Sequence, residues 1–377
     1  MDKNPELSII LPCLNEAQAL GLCLEKIKKV IEKNNLDAEI IVVDNGSTDN
    51  SCEIAIEKQA NLIHEKERGY GAAYLKGFET AKGKYLFLAD PDGSYDFNEI
   101  PRFIEQLKKG YDFVIGNRFK GRIEKGAMPW THRYIGNPTL SGVLRLFFKA
   151  KIYDAHCGMR ALTKSSLEKL NLKTTGMEFA SEMVIKAIKN GLKIKELPIN
   201  YYRRIGKSKL KSFADGWRHL RFTLLYSPLL LFFIPGSAFL FIGIVSLLLL
   251  YFNLFTIFGI RFQYHPMFPS ALLVIIGYQL IIFSLFAKTY AITHLGDKPI
   301  FDRFYKYIAI EKAGTIGILM GILGLSIYIM ILLKWLNSGF GELREVKNSI
   351  LALTLIAVGA QTIFSSFMLS ILGIKEK

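Results

Sequence analysis

Cysteine is scarce in this chain: four residues in 377, Cys13, Cys23, Cys52 and Cys157, with no Cys-x-x-Cys pair among them. That scarcity excludes a small disulfide-stapled fold and points to a reducing compartment for the part that carries them. Acid is short as well, 33 Asp and Glu against 48 Lys and Arg, a formal net charge of +15. Anionic partners follow from that balance: nucleic acid, lipid headgroups or phosphorylated substrates. The start, Met1 to Glu6, lacks the basic-then-apolar pattern of a cleaved leader. Four long apolar runs lack any ionisable residue in their middle, near residues 229–252, 268–287, 313–333 and 350–374. Each is about the 20 residues that a membrane-spanning helix needs.

Charge around those runs sets an expected orientation. Arg218 and Arg221 precede the first, and Lys288, Lys298, Arg303, Lys306 and Lys312 lie between the second and third. The loop after the first run carries Arg261 alone, and the loop after the third carries Lys334, Arg344 and Lys347. The positive-inside rule then places both termini in the cytosol. With the basic residues gathered beside the membrane, nucleic acid is not an expected partner.

Before the first span the pattern changes. Leu7–Leu11, Ile40–Val43, Tyr85–Ala89 and Phe113–Ile115 are apolar runs of strand length. Between them lie helical patterns, one from Glu16 to Lys33 with Leu20, Leu24, Ile27 and Ile31 in register, another from Gly71 to Ala81. Alternation of this kind predicts an α/β unit with a mainly parallel sheet. In such sheets ligands gather at the carboxyl ends of the strands. Three polar clusters fall there: Pro12-Cys13-Leu14-Asn15-Glu16, Asp44-Asn45-Gly46-Ser47-Thr48-Asp49, and Asp90-Pro91-Asp92-Gly93-Ser94. Two carboxylates one residue apart after a buried strand suit a hard divalent cation; the competing reading is an ordinary Asp/Gly turn.

The ordered set of motifs resembles family-two glycosyltransferases of the GT-A, Rossmann-like fold. The resemblance rests on Pro12-x-x-Asn15-Glu16, Val43 to Asp49, Arg68-Gly69-x-Gly71 and Asp90-x-Asp92. Gly116-Asn117-Arg118-Phe119, Asp154 to Arg160 and Arg204-x-Gly206-x-Ser208-Lys209 narrow it to something similar to dolichyl- and polyprenyl-phosphate sugar synthases. The match implies a cytosolic catalytic domain over residues 1–210, an interfacial amphipathic helix over 211–226 and a four-helix transmembrane domain over 227–377.

The same resemblance implies residue roles. Pro12, Leu14, Glu16, Asp44 and Asn45 would bind the nucleotide sugar, although many relatives carry a second Asp where Asn45 stands; a turn or helix-cap residue is the competing, less favoured reading of Asp44. Asp90 and Asp92, with Ser94 where some synthases have Gln, would hold Mg²⁺ or Mn²⁺ against the diphosphate, and Pro91 would stiffen their loop. Arg204, Ser208 and Lys209 would close over the diphosphate; the same cations suit anionic lipid. Arg118 and Arg133, assisted by Asn137, match positions that bind an acceptor phosphate. Arg118 also reads as a strand-end surface charge. Asp154, Arg160, Glu178 and Glu182 would orient sugar hydroxyls or serve structure, Glu178 and Glu182 sharing one helix face that is otherwise a solvated one. His156 reads as a structural loop residue.

The implied reaction is inverting transfer of a hexose from GDP-mannose or UDP-glucose to a dolichyl or polyprenyl phosphate, catalysed by Asp92 with Arg118 and Arg133. A processive polysaccharide synthase is the alternative, but its usual Gln-x-x-Arg-Trp motif is absent. A silent protein that binds or flips glycolipids is a third reading. Two amphipathic segments, Lys211–Tyr226 with Phe213, Trp217, Leu220 and Leu224, and Pro299–Ile310 with Phe301, Phe304, Tyr305 and Ile308, are expected at the surface of the cell membrane or endoplasmic reticulum. Gly314, Gly317, Gly321 and Gly324 form a small-residue stripe that permits close helix contact, within one chain or between the chains of a homo-oligomer.

Overall fold

The strand Leu7–Cys13 (β1) is buried along nearly its whole length, as an apolar run covered on both faces must be. The structure, a computed structural model, describes residues 4–206, 212–227, 229–254, 256–257, 260–294 and 310–373. They divide into two compact units, up to Thr223 and from Leu224 on.

In the first unit β1 is followed by α1 (Ala17–Lys33), β2 (Ala38–Asp44), α2 (Ser51–Glu57), β3 (Asn61–His64), α3 (Tyr70–Thr80) and β4 (Tyr85–Leu88). Then come α4 (Ile100–Lys108), β5 (Phe113–Asn117), α5 (Asn137–Phe148), β6 (Arg160–Thr163), α6 (Lys164–Leu170), α7 (Phe179–Lys189), β7 (Ile194–Pro198) and α8 (Ser212–Leu225). The seven strands form one sheet in the order β3-β2-β1-β4-β6-β5-β7. Pairing is parallel except at β6, which runs antiparallel to β4 and β5. The mainly parallel α/β sheet is therefore as expected, a GT-A-like Rossmann arrangement. β3 and β6 escaped the sequence pattern because each has four residues with no alternation or long apolar run to mark it.

The chain leaves β1 toward β2 and β3 on one side and returns to place β4 on the other. This is a topological switch point, where the loops after β1 and β4 diverge and open a crevice. Helix α1 turns Leu20, Leu24 and Ile27 into the core at the expected spacing. Helix α3 lies close on the sheet: a Cβ at Gly77 would come within 2.5 Å of the Ile10 side chain.

Among the described residues of the second unit four helices are long and apolar enough to cross a membrane: Leu230–Tyr251, Met267–Thr293, Lys312–Asn337 and Val346–Gly373. They coincide with the four expected runs and extend the second and third at their C-terminal ends. At Gly317 a Cβ would meet the Gly359 carbonyl at 2.7 Å, and at Gly324 the Ala352 carbonyl at 2.8 Å. Two members of the glycine stripe thus serve a close approach between helices of the same chain. Gly236, Gly243 and Gly277 make a second such contact, between the first and second spans. Lys347 ties the ends together, its ammonium donating to the Leu250 carbonyl and to Asn253 Oδ1 at 2.8 and 2.7 Å.

Helix α8 buries His219 and Thr223 and exposes Trp217. Most of the second amphipathic segment, residues 299–309, lies outside the described residues.

Candidate active site

The loops after β1 and β2 are sewn to each other. Asn15 N–H donates to Ser47 Oγ at 2.9 Å, and Thr48 N–H returns a bond to Asn15 Oδ1 at 2.6 Å. Glu16 and Ala17 donate from their backbones to Ser51 Oγ and Asp49 Oδ2 at 2.9 and 3.1 Å. Asp49 and Ser51, from the loop after β2, therefore satisfy backbone N–H groups at the start of α1, and Ser47 holds the residue before it, roles their own local sequence does not reveal.

Asp44 ends β2, almost fully buried, and accepts from Ser47 N–H at 3.0 Å, Gly46 N–H at 3.3 Å and, at 3.2 Å, the His64 ring. Burial would raise its pKa, but the bonds from Ser47, His64 and Gly46 outweigh it and hold the carboxyl below its ordinary value. Asn45 is spent internally. Its amide donates to the Glu65 and Glu67 carbonyls at 3.3 and 2.7 Å, and its carbonyl accepts from Gly69 N–H at 2.7 Å. It pins the loop that leads into α3. Gly69 and Gly71 continue that loop, and a Cβ at either would collide with the Thr175 or Thr174 carbonyl, at 2.1 and 2.2 Å. Pro12 and Leu14 are half-buried along the β1 loop.

At the end of β4, Asp92 is buried and held by its own turn. Ser94 donates to Asp92 Oδ1 from its N–H at 2.9 Å and from its hydroxyl at 2.5 Å. The Ser94 hydroxyl thus gives its proton to Asp92, and its oxygen lone pairs are what it would offer a cation beside the two carboxylates. Pro91 is buried beside it. Asp92 Oδ2 lies 3.3 Å from the Arg204 guanidinium, whose other nitrogen pairs with Glu16. Ile205 N–H also donates to the Asp92 carbonyl at 2.9 Å. The segment after β7 is thereby fastened onto the crevice. Ser208 and Lys209 lie outside the described residues.

Asp90 keeps part of its surface open and accepts from the Tyr70 hydroxyl at 3.0 Å. Desolvation and the neighbouring Asp92 push its carboxyl up to about 7, against the pull of Tyr70 and Arg204. A Cβ on Gly158 would sit 2.4 Å from Asp90 Oδ2, so the loop before β6 crosses directly over this carboxylate. Asp92 and Glu16 both pair with Arg204 and Asp90 lies within reach of its charge, so three carboxylates share one guanidinium and the negative charge is incompletely balanced. Such a set of hard oxygen donors fits a divalent cation, which would compensate charge that the protein leaves over.

Arg118 is a buried partner rather than a surface charge. Its Nε and Nη2 donate to Asp154 Oδ2 and Oδ1, both at 2.7 Å, and its own N–H adds a third bond at 3.0 Å. The guanidinium stacks 5.2 Å from the Tyr201 ring centroid, and Tyr201 in turn packs edge-on against Tyr95 at 5.5 Å. The Tyr95 hydroxyl accepts from Gly158 N–H at 2.8 Å. Tyr95 and Tyr201 thus connect the Arg118 cluster to the Asp90 loop, and nothing in their sequence setting marked them.

Arg160 is structural: Nε, Nη1 and Nη2 donate to the Cys157, Ala180 and Ala155 carbonyls at 2.8–2.9 Å. Among the described residues no hydrogen bond or ion pair joins it to Glu178 or Glu182. Glu182 does not belong to a solvated face. It is buried, pairs with Lys186 at 2.7 Å, and accepts from Lys173 and Thr174 backbone N–H groups at 2.9–3.1 Å. Glu178 Oε2 is buried without a hydrogen-bond partner among the described residues. His156 is held well below its ordinary pKa by burial and by His219, whose ring centroid is 4.5 Å away, so it stands neutral. The four cysteines are free.

Arg133 and Asn137 lie on a different segment, a π-turn at His132–Gly136 and the start of α5. Their contacts are local: Arg133 rests 5.4 Å from the Tyr134 ring centroid, and the Asn137 amide reaches Met128 Sδ at 3.6 Å. Among the described residues no hydrogen bond or ion pair joins either to Asp90, Asp92 or Arg118.

Residues 8–170 match the glycosyl transferase family 2 model, and residues 285–373 match the family 2 C-terminal transmembrane region. The low-salt glycan biosynthesis hexosyltransferase Agl6 of Haloferax volcanii is 37% identical over 374 residues, 99% of this chain and 90% of that protein. A dolichyl-phosphate hexose transferase of the same organism is 32% identical over 214 residues, 56% of this chain and 89% of that protein. Among solved structures, glucosyl-3-phosphoglycerate synthase from Mycobacterium tuberculosis, in complex with Mn²⁺, UDP and glucosyl-3-phosphoglycerate, aligns with a TM-score of 0.49 at 18% identity, covering 59% of this chain and 80% of that one.

Proposed function

This chain belongs to glycosyltransferase family 2 and carries that family's C-terminal transmembrane region; from that premise we propose that it moves a hexose from a nucleotide sugar, GDP-mannose or UDP-glucose, onto a dolichyl or polyprenyl phosphate at the cytosolic face of a membrane. The observation that carries the reading is the pairing of Asp92 and Glu16 with Arg204, with Asp90 beside Asp92, at the switch point of the sheet. The names of the Haloferax relatives, a hexosyltransferase and a dolichyl-phosphate hexose transferase, support the sugar and acceptor classes.

In this reading Asp44, with Pro12 and Leu14 beside it, receives the nucleoside, its carboxylate kept ionised by the bonds described above and so able to accept from ribose hydroxyls or base N–H groups. Asp90 and Asp92 would hold Mg²⁺ or Mn²⁺, which supplies charge neutralisation for the departing nucleoside diphosphate. Arg204 adds a cation to the same diphosphate, reaching it from the segment after β7. A lipid monophosphate is already anionic at neutral pH, so the attacking oxygen needs no general base. It needs positioning, which Arg133 and Asn137 would provide, with Arg118 contributing the guanidinium edge that Asp154 leaves open. A single displacement then inverts the anomeric carbon. The spans keep the chain in the lipid that contains its acceptor.

The test is direct. Full-length protein in vesicles is offered labelled GDP-mannose, UDP-glucose and UDP-GlcNAc with dolichyl and undecaprenyl phosphate, and the lipid product is identified. A hexosyl-phosphoryl lipid, formed by the native chain and lost in Asp92→Ala protein that still inserts, supports the reading. Turnover unchanged in Asp92→Ala overturns the assignment of the carboxylates.

A further inference from the structure

Residues 125–153 contain no Asp or Glu, yet they carry Lys125, Arg133, Arg145, Lys149 and Lys151. The same stretch collects exposed apolar side chains. Among the described residues of the first unit nine large hydrophobic side chains are exposed, and five of them, Trp130, Tyr134, Ile135, Leu146 and Tyr153, fall here. Trp130 and Leu146 are 65% and 71% exposed, values that belong to side chains standing clear of the protein. Helix α5 explains why this is a surface rather than scatter. It turns Ser141 and Leu144 fully inward, while Leu146 points out and Leu140 and Val143 are half-buried at the sides. Arg145 is its single charged residue. A helix that is apolar on its outer side as well as its inner one is not built to face water.

The aromatic rings there are matched with cations. Arg133 sits 5.4 Å from the Tyr134 centroid, and Arg145 and Lys120 sit 4.8 and 4.9 Å from that of Tyr153. Trp130 and Tyr134 pack together at 5.8 Å. The carboxylate packed against this segment, Glu196, has a buried side chain, accepting from Tyr153 N–H at 2.7 Å and lying 3.6 Å from Lys120. Aromatic and aliphatic groups flanked by exposed Lys and Arg form the composition of a segment that lies at a bilayer surface: rings and leucines enter the boundary with the acyl chains while the cations meet anionic headgroups. A second copy of the chain is a poor occupant, because two such uniformly cationic faces would repel.

We propose that the segment from Trp130 to Tyr153 is a lipid-contacting surface of the catalytic unit, which seats Trp130, Tyr134, Ile135 and Leu146 at the headgroup boundary of an anionic bilayer. The chain carries four candidate spans, so such a bilayer is its constant neighbour. This surface would meet lipid whatever reaction the site performs. It goes beyond the proposed transfer by placing Arg133 where an anion embedded in lipid presents itself.

Tryptophan fluorescence tests it, because the chain has three tryptophans, Trp130, Trp217 and Trp335. Full-length Trp217→Phe/Trp335→Phe protein leaves Trp130 as the sole reporter. It is reconstituted into vesicles of phosphatidylglycerol and phosphatidylcholine with brominated acyl chains, without any polyprenyl phosphate. We expect blue-shifted emission, with about half or more of it quenched by the brominated lipid, as for a ring at the headgroup boundary. Red-shifted emission open to iodide overturns the proposal. So does blue-shifted emission that brominated lipid leaves untouched, which would mean a protein cover, or quenching that appears only when a brominated polyprenyl phosphate is added, which would mean a substrate groove. Should the double variant not fold, a nitroxide on Leu146→Cys in a Cys52→Ser background gives the same decision from its accessibility to oxygen against a water-soluble nickel chelate.

Discussion

Removing Asp154 alone should damage the catalytic unit more than removing Asp154 and Arg118 together. The carboxylate is fully buried and the guanidinium nearly so, with 0% and 7% side-chain exposure, and two charge-assisted bonds of 2.7 Å join them. In Asp154→Ala the guanidinium stays behind without its counter-charge, and the Arg118 N–H loses its acceptor as well. Breaking such a pair costs about 3–5 kcal/mol, most of it the burden of the orphaned charge. For a unit of this size that corresponds to a fall in melting temperature of roughly 6–20 °C. Arg118→Met/Asp154→Leu removes both charges and fills the space, so it should recover at least about half of the loss. The assay is a thermal melt of purified full-length protein in detergent, followed by a probe of the soluble unit, on both single variants and the double. A coupling energy of about 2 kcal/mol or more is expected. Additive effects, each below about 1 kcal/mol, would refute the view that Arg118 is committed to Asp154 and would return it to the solvent-facing cations.

Two further outcomes follow from the Asp90 loop. The Asp90 carboxyl is raised from 3.8 to about 7, so the folded state holds a proton there that the unfolded state releases. Metal-free protein should therefore lose stability as pH rises from about 4 toward 7 and change little from this group above that, a trend that saturating Mn²⁺ should remove by compensating the charge; melts in EDTA and in MnCl₂ across that range check it, and an identical slope in both would count against cation binding at Asp90. Gly158→Ala puts a methyl 2.4 Å from Asp90 Oδ2 and 3.0 Å from the Tyr95 hydroxyl. It should lower hexosyl transfer by about tenfold or more through displacement of the carboxylate, with membrane insertion intact; transfer at the native rate would show that Asp90 has room to spare.

The short apolar runs, their helical partners and the four long hydrophobic stretches were legible from residue order, because strand, helix and span each impose a local period or length on apolar side chains. The placement of polar clusters at strand ends followed from the same pattern: Asp44 closes β2, and Asp90 and Asp92 follow β4. Only the tertiary structure decided how the polar side chains in those clusters are used. Arg204 meets Glu16 across 188 positions, and Arg118 meets Asp154 across 36. Asn45, Arg160 and Glu182 proved to be spent on backbone groups of neighbouring loops. The physical reason is that a polar group's role depends on which partner satisfies it when it leaves water, and that partner comes from elsewhere in the chain.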